Sequence, residues 1–531
     1  MQKLLVSSDT ARKIDEEAQS AWGFNTFALV ESAGRSCARV FVKAFPKFFD
    51  SRIPSIAIAA GSGSNAADAM VMLRYWILQG LASPSSSTVV VAKPPKRDEK
   101  NPYSEVFLSL KKMEVPILVW DGDLGEAAGR QSEDALARAD IIIDGIFGTG
   151  VKGPVKGSSE EMITVVNALK RGTRAYATDQ YKKPFVVSID VPSGNSDEWK
   201  PGMPIMEADV TLSIEPQKIC LFNPAARAFA GEIISLGDVF PPGLINSHQG
   251  AELLDWARAR NFLPRIRPDA YKHERGTLEI RAGSVGTTGA ALIAARGAQA
   301  AGAGLVRILA DDDIYPILAS RASGVMVSPI SREGKGDRFK PDALLLGPGW
   351  GKEGDRAEQL AQALEKEKNG TPVILDADAI ALARDAVFHK NAILTPHFGE
   401  FAAYVGLEID KALNNPSKML LEIAKEKKAT IILKGHIITI AGADGRWGVI
   451  DGMMPALAAG GSGDLLAGFC GAMAARMARK GAFDGYACAA AAVSLLIAAG
   501  RLVGPRFIDP LELADKAADL AGQAWLCTGD N

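Results

Sequence analysis

Short apolar runs that stop at a glycine or an acidic residue recur along this chain, with helical patterns in the intervals. Residues 55–60 (SIAIAA) are the first clear run; they lead through Gly-Ser-Gly-Ser at 61–64 into a helical segment over 65–79. Further runs stand at 88–92 (TVVVA), 117–120 (ILVW), 141–143 ending at Asp144, and 186–189 ending at Asp190. Runs apolar at every position read as strands buried on both faces, and their alternation with helices predicts a mostly parallel, doubly wound sheet. The pattern restarts at 277–280 (TLEI), followed by GSVGTTG at 283–289 and a small-residue helix over 290–303. Runs at 343–346, 373–375, 392–394 and 430–433 then end in Gly347-Pro348-Gly349, Asp376, Thr395-Pro396-His397 and Lys434-Gly435. Between the two series lies 240–267, with Pro241-Pro242 and a polar turn at 246–250, so the expectation is two α/β domains, 1–245 and 246–531. Ligands of such sheets bind beyond the carboxyl ends of the strands, which makes the residues directly after each run the candidates for function.

Composition narrows the partners. Lys and Arg total 60 against 62 Asp and Glu, a formal charge of −2. No basic excess is present to hold a nucleic-acid backbone or an anionic membrane, so phosphate recognition has to be local. The five cysteines include no CxxC pair and signal neither a disulfide framework nor a zinc site. A reducing cytoplasm is the expected compartment, and the opening MQKLLVSSDTARKIDEEAQ has no apolar run of signal-peptide length. The most apolar late stretch, 486–499 (YACAAAAVSLLIAA), falls short of the about 20 residues that span a bilayer and reads as a core helix.

The sharpest chemical signal is AGGSGDLLAG at 459–468. Glycines allow close approach of backbone to a ligand, and the helix expected over 465–479 offers free N–H groups suited to phosphate. A carboxylate at that point, Asp464, fits a general base beside a phosphoryl group, although a helix N-cap aspartate would read the same way in isolation.

This loop resembles the glycine–aspartate anion hole of ribokinase-like kinases. The accompanying segments GSVGTTGAALIAARGAQAAGAGLV (283–306), DALLLGPGWG (342–351), VILDADAIALA (373–383), LTPHFGEFAAYVG (394–406) and LKGHIITIA (433–441) resemble, in order, the ADP- or ATP-dependent NAD(P)H-hydrate dehydratases. Upstream, SIAIAAGSGSNAADAMVMLR, IIIDGIFGTGVKGPV and VVSIDVPSGN are similar to the NAD(P)HX epimerase domain, which many bacteria fuse in front of the dehydratase. The resemblance implies a Rossmann-like three-layer α/β/α domain followed by a ribokinase-like α/β/α domain. It implies a bifunctional isomerase and lyase acting on small molecules, associating as a homo-oligomer.

For the second domain the resemblance implies that Asp464 deprotonates the hydroxyl on ring carbon 6 of the nicotinamide hydrate. Gly461 and Gly463 would stabilise the phosphoryl group. Lys434, Gly435, His436, Ile437 and Ile438 would contact the adenine nucleotide, ADP or ATP with magnesium, the fusion order favouring ADP. Ala290, Gly349 and His397 would join Asp464 in binding the hydrated dinucleotide. Glu400 carries no assigned role, and Asp376 and Asp378 stand open between magnesium-bound phosphate and turn capping. For the first domain, Asp190 would contact substrate and handle a proton. Asn65, Asp144 and Ser193 would hold potassium. Ser64, Asn65, Ala66, Ala67 and Asp68, with Gly148, Thr149, Gly150, Val151, Lys152, Gly153 and Pro154, would line the substrate.

Two departures bear on these expectations. Alanine stands at 66, 67 and 69, where the family usually has glycine; this is harmless in a helix and obstructive in a segment lying against the dinucleotide. Met454-Pro455-Ala456 and Ile438 replace an Asn-Pro-Gly run and a threonine. The competing reading is a ribokinase-like kinase of a vitamin precursor behind a non-catalytic dinucleotide-binding module.

Overall fold

The computed structural model describes the chain apart from residues 1–2, 94–100, 121–124, 173–182, 264, 334–338, 409–415 and 527–531; Cys527 therefore lies outside the described residues. It comprises two compact units, Met1–Ala251 and Glu252–Asn531.

The strands of the first unit are β1 (Leu4–Val6), β2 (Ile56–Ala60), β3 (Ser87–Val91), β4 (Ile117–Val119), β5 (Ile141–Gly145), β6 (Phe185–Ile189), β7 (Val210–Ile214), β8 (Gln217–Lys218) and β9 (Glu232–Leu236). Seven form a parallel sheet in the order β4-β3-β2-β5-β6-β7-β9. The apolar runs exist because both faces are covered. Ile56, Ile58 and Ala60 of β2 enter one core, together with Val89, Val91, Ile141, Ile143, Val187 and Ile189. Their neighbours Ala57, Ala59, Val90, Ile142 and Val186 enter the core on the opposite face. A side-chain period of two with both sets buried is the signature of a three-layer α/β/α arrangement. β1 and β8 pair in parallel, with Val6 opposite Lys218.

The second unit repeats the logic. After β10 (Ala251–Leu253) come β11 (Thr277–Arg281), β12 (Leu305–Ala310), β13 (Met326–Pro329), β14 (Ala343–Leu346), β15 (Val373–Leu375), β16 (Ala392–Leu394), β17 (Thr430–Leu433), β18 (Ile437–Ala441) and β19 (Trp447–Asp451). Their order is β13-β12-β11-β14-β15-β16-β17-β18-β19, parallel through β17; β18 runs antiparallel to both of its neighbours. Leu345, Ile374, Ile393 and Ile432 face one core and Leu344, Leu346, Val373, Leu375, Leu394 and Leu433 the other.

Helix Gly485–Val503 is long and apolar enough to cross a membrane by length and composition, yet it is 78% buried in the protein. It belongs to the core, as the sequence predicts. Helices Thr288–Ala300 and Ser462–Arg479 lie almost in backbone contact. A Cβ on Gly468 would come within 2.1 Å of the Ala294 carbonyl oxygen, and one on Gly297 within 2.6 Å of that of Leu465. Glycine is required at this seam for steric reasons rather than for a turn. The second of these helices starts earlier than expected, so Asp464 lies inside its first turn. Gly461 precedes it with φ +92°, a left-handed conformation that glycine adopts at no steric cost.

Candidate active sites

In the second unit, three adjacent parallel strands each release a polar residue at their carboxyl ends. Asp376 follows β15, Thr395 follows β16 and Lys434 follows β17. Lys434 Nζ donates to Asp376 Oδ1 at 2.8 Å, and Thr395 Oγ1 donates to the same oxygen at 2.5 Å. Asp376 is 2% exposed, so its charge survives burial through these two donors. In this structure Asp376 is held by an ion pair and a hydroxyl donor. Asp378 caps differently, its Oδ2 accepting from the Gly351 N–H at 2.9 Å. Burial works against the charge on Lys434, but Asp376, Glu400 and Asp464 together hold its ammonium above the ordinary lysine range.

The lysine reaches the glycine loop. A Cβ on Gly463 would meet Lys434 Nζ at 3.5 Å. Gly461, Gly463, Asp464 and Lys434 therefore converge where the helix Ser462–Arg479 presents its unpaired N–H groups. Burial, with Asp376 adding to it and Lys434 opposing, raises the Asp464 carboxyl to about 6. That is the range in which a carboxylate can accept and release a proton near neutrality.

Beside this cluster, Gly349 has φ +55°, and a Cβ there would lie 2.8 Å from that of Ala290. Thr287 Oγ1 and Ser284 Oγ both donate to the Gly349 carbonyl, at 2.7 and 3.1 Å. The two sequence-predicted contacts Gly349 and Ala290 are thus held together. His397 caps helix Phe398–Val405. Its Nδ1 accepts from the Glu400 N–H at 3.1 Å while the Glu400 carboxylate accepts from the His397 N–H at 2.8 Å. Glu400, unassigned from sequence, is half of a capping box. The His397 ring stays largely exposed, and its backbone bridges to that of Lys434. Gly435 and His436 are exposed, but Ile437 and Ile438 bury their side chains in the core, leaving only their backbone for a ligand.

In the first unit a cavity of about 440 Å³ opens beyond β2, β5 and β6. Ser64, Asn65, Asp68, Gly148, Thr149, Gly150 and Asp190 all line it. Ala66 and Ala67 do not. Helix Ser64–Leu78 turns them fully into the core, so the expectation of substrate contact from these two residues is corrected. The alanines cost nothing in backbone strain, because the segment is helical. The loop leaves the cavity after Gly150: Val151 packs on the core, Lys152 and Pro154 are exposed, and Gly153 turns with φ +70°.

Asn65, Asp144 and Ser193 come together around Phe147. Asn65 Nδ2 donates to the Phe147 carbonyl at 3.0 Å, and the Phe147 N–H donates to Ser193 Oγ at 2.8 Å. Asp144, fully buried, accepts from the Ser193 N–H and Ser188 Oγ at 2.8 and 2.7 Å, and from Ser193 Oγ. Burial raises its carboxyl, with these hydrogen bonds in opposition.

Asp190 stands at φ +64°, uncommon for a residue with a side chain. Its Oδ1 accepts from Lys218 Nζ at 2.5 Å and from the Ile214 N–H at 3.1 Å. Lys218 is almost fully buried and also donates to the Ile214 carbonyl at 2.8 Å. Asp68 and Asp15 face the same cavity. Sequence reasoning missed Lys218 and Asp15. A lysine between the apolar segments VTLSI and ICLF was the available signal for the first; nothing local singled out the second.

Comparison with known proteins gives matches to both units. Residues 278–514 match the family described as NAD(P)H-hydrate dehydratase, and residues 26–220 match the YjeF-related protein N-terminus. The bifunctional NAD(P)H-hydrate repair enzyme Nnr of Gloeobacter violaceus is 31% identical over 483 residues, covering 87% of each chain. That of Synechocystis is 30% identical, covering 86% of this chain and 82% of its own. The Moorella thermoacetica enzyme of the same name is 28% identical over 501 residues, 90% of this chain and 89% of its own. A solved structure of the ADP/ATP-dependent NAD(P)H-hydrate dehydratase from Bacillus subtilis, co-crystallised with ATP and Mg2+, is 27% identical with a TM-score of 0.45. It covers 51% of this chain and 99% of that one.

Proposed function

The chain belongs to the bifunctional NAD(P)H-hydrate repair enzymes, with an epimerase-type domain ahead of a dehydratase domain, and from that premise we propose which residues do the work in each unit. In Glu252–Asn531, the S hydrate carries a hydroxyl on ring carbon 6. Hydroxide is a poor leaving group, so the hydroxyl is first phosphorylated by ADP or ATP, bound as its magnesium complex. Phosphate then departs as the ring double bond is restored, giving NAD(P)H, and AMP when ADP is the donor. Asp464 takes the hydroxyl proton. The amides after Gly461, together with Lys434, neutralise the migrating phosphoryl group. Gly349, Ala290 and His397 flank the dinucleotide, and the exposed Gly435–His436 turn meets the nucleotide.

The observation that carries this reading is the convergence on one point of a helix N-terminus, the Lys434 ammonium 3.5 Å from a Gly463 Cβ position, and a carboxylate raised to about 6. Its test feeds the protein S-hydrated NADH with ADP or ATP and follows the reduced-nicotinamide absorbance. Nucleotide-dependent recovery is expected. Absence of recovery with either nucleotide, alongside phosphorylation of a vitamin precursor, would overturn it.

In Met1–Ala251, the cavity accepts the R hydrate and interconverts it with S. Asp190 exchanges a proton with the substrate. Asn65, Asp144, Ser193 and the Phe147 carbonyl make an all-oxygen donor set that fits a potassium ion, whose charge would help fix the dinucleotide. The backbone of Gly148–Gly150 meets the pyrophosphate or ribose. Supplying R hydrate alone tests this: conversion faster than the spontaneous rate is expected, and stimulation by potassium over sodium tests the cation. A reducing cytoplasm suits the protein, a reading supported by the free, buried thiols of Cys37, Cys220, Cys470 and Cys488.

A further inference from the structure

One carboxylate in the first unit has no use in the mechanism so far. Asp68 projects from helix Ser64–Leu78 into the same cavity as Asp190. It is 6% exposed, and its Oδ1 has no hydrogen-bond partner. An unpaired charge so placed would be costly. Lys218, the buried cation beside it, is spoken for by Asp190 and the Ile214 carbonyl. The groups facing Asp68 are Asp190 at the end of β6, Asp15 on helix Ser8–Ser20, Lys218 on β8 and the Cys37 thiol on helix Thr26–Ala44. Burial, then Asp190 and Asp15, drive its carboxyl well above the usual range, with Lys218 in opposition. Two carboxyl groups thus share one cavity in opposite environments. Asp190 has an ammonium 2.5 Å away, and Asp68 has none free. Such a division is how active sites separate a proton donor from a proton acceptor.

We propose that Asp68 is a second catalytic residue of the epimerase site, giving a proton to the departing C6 hydroxyl, while Asp190, positioned by Lys218, takes one from the water that returns on the opposite face. This rests on the reading of the first unit as the site where R and S hydrates interconvert. Carbon 6 is bonded to the ring nitrogen, whose lone pair assists cleavage of the C6–O bond. The bonding pair leaves with oxygen, which takes the Asp68 proton and departs as water; the ring becomes a nitrogen-stabilised cation. Water then bonds to carbon 6 from the other face and yields its proton to Asp190. Exchange with solvent returns the proton to Asp68. Nothing is oxidised or reduced, and one water is lost and one regained. Lys218 acts through Asp190 and is a positioning residue.

The test uses the full chain, R-hydrated NADH and potassium, with both epimers resolved chromatographically. For the unmodified protein, kcat/KM is expected to fall on the alkaline side as the donor loses its proton; a flat profile there overturns the proposal. Asp68→Asn keeps an amide that can still hydrogen-bond substrate. Its kcat is expected to drop about 10²- to 10⁴-fold with KM changed only a few-fold, and the alkaline limb is expected to vanish. If Asp68 merely bound substrate, the variant would change KM and keep kcat, and the proposal would fail. Because the substitution removes a buried unpaired carboxyl, thermal unfolding of the variant is expected at or above the parent temperature, which separates lost chemistry from lost folding. Lys218→Met is expected to lower kcat with KM changed only a few-fold, and Lys218→Arg to restore part of the loss, a rescue that a purely packing role would not show. Failure of the unmodified protein to exceed the spontaneous rate would instead sink the underlying reading, a result distinct from an active parent with an equally active Asp68→Asn.

Discussion

The two units solve a similar electrostatic problem with different surroundings. Each sets an aspartate beyond a parallel strand and neutralises it with a lysine from a distant segment: Asp190 with Lys218 at 2.5 Å, and Asp376 with Lys434 at 2.8 Å. Each then brings a second carboxyl from the beginning of a helix, Asp68 or Asp464, whose proton affinity is raised mainly by burial and then by that aspartate. What differs is the company of the second carboxyl. Asp464 stands in the first turn of its helix beside glycines and a lysine, a place built to receive an anion. Asp68 lies two residues farther into its helix, facing a cavity that also takes Leu29, Val30 and Ala33. The same carboxylate–lysine device thus stands in two settings, one beside the Lys434 ammonium and the glycine loop and one in a cavity with an apolar wall.

The comparison breaks most sharply at Asp464. Asp464→Asn is expected to lower nucleotide-driven dehydration by about 10²- to 10⁴-fold while R-to-S conversion continues unchanged, measured on the separate epimers. Loss of both activities would mean that the units are not independent. Asp190→Asn is the mirror experiment. It should cost epimerisation a similar factor and spare dehydration of the S form, and it leaves Lys218 buried without its counter-charge. Next in size, Lys434→Met strands Asp376 at 2% exposure. Breaking a buried pair from one side costs about 3–5 kcal/mol, so the unfolding transition of the second unit should shift down by that order. A shift under about 1 kcal/mol would show that Thr395 alone satisfies Asp376.

A pH series sharpens the contrast further. The Asp464 carboxyl sits at about 6, and the base must be ionised to act, so dehydration at subsaturating hydrate should rise with pH through about 6 and level off above. The linkage to stability has the opposite sign. The carboxyl is raised above its unfolded value of 3.8, so folding stability declines as pH climbs from about 4 to about 6. The smallest effect is expected at Ala69, where a family glycine is absent. Ala69→Gly should cost about 1 kcal/mol of stability, measured by denaturant unfolding, with the epimerisation rate unaltered.

The strands were legible because most of their positions are apolar and buried on both faces, although β11 and β12 also bury Glu279, Arg281 and Arg307. The candidate positions were legible because they stand at strand ends, as Asp144, Asp190, Asp376 and Lys434 do. Pairings between distant segments were not legible. Lys218 reaches Asp190 through the chain path around β7 and β8, and Asp376 meets Lys434 across 58 residues; no local period encodes either. The error at Ala66 and Ala67 has a different origin. A continuous motif was read as a continuous contact, whereas a helix exposes only one stripe. Ser64, Asn65 and Asp68 share that stripe at helical spacing, and the alanines between them rotate away.

The seam where Gly297 and Gly468 let two helices touch reaches beyond packing. One of these helices carries Ala290 in its first turn, just after the Ser284 and Thr287 hydroxyls that hold Gly349, and the other carries Asp464 in its first turn. With no side chain between them to act as a cushion, a displacement of one helix is handed directly to the other. A fault in this seam is therefore expected to surface at Asp464, although both glycines sit at the helix–helix contact rather than beside that carboxyl.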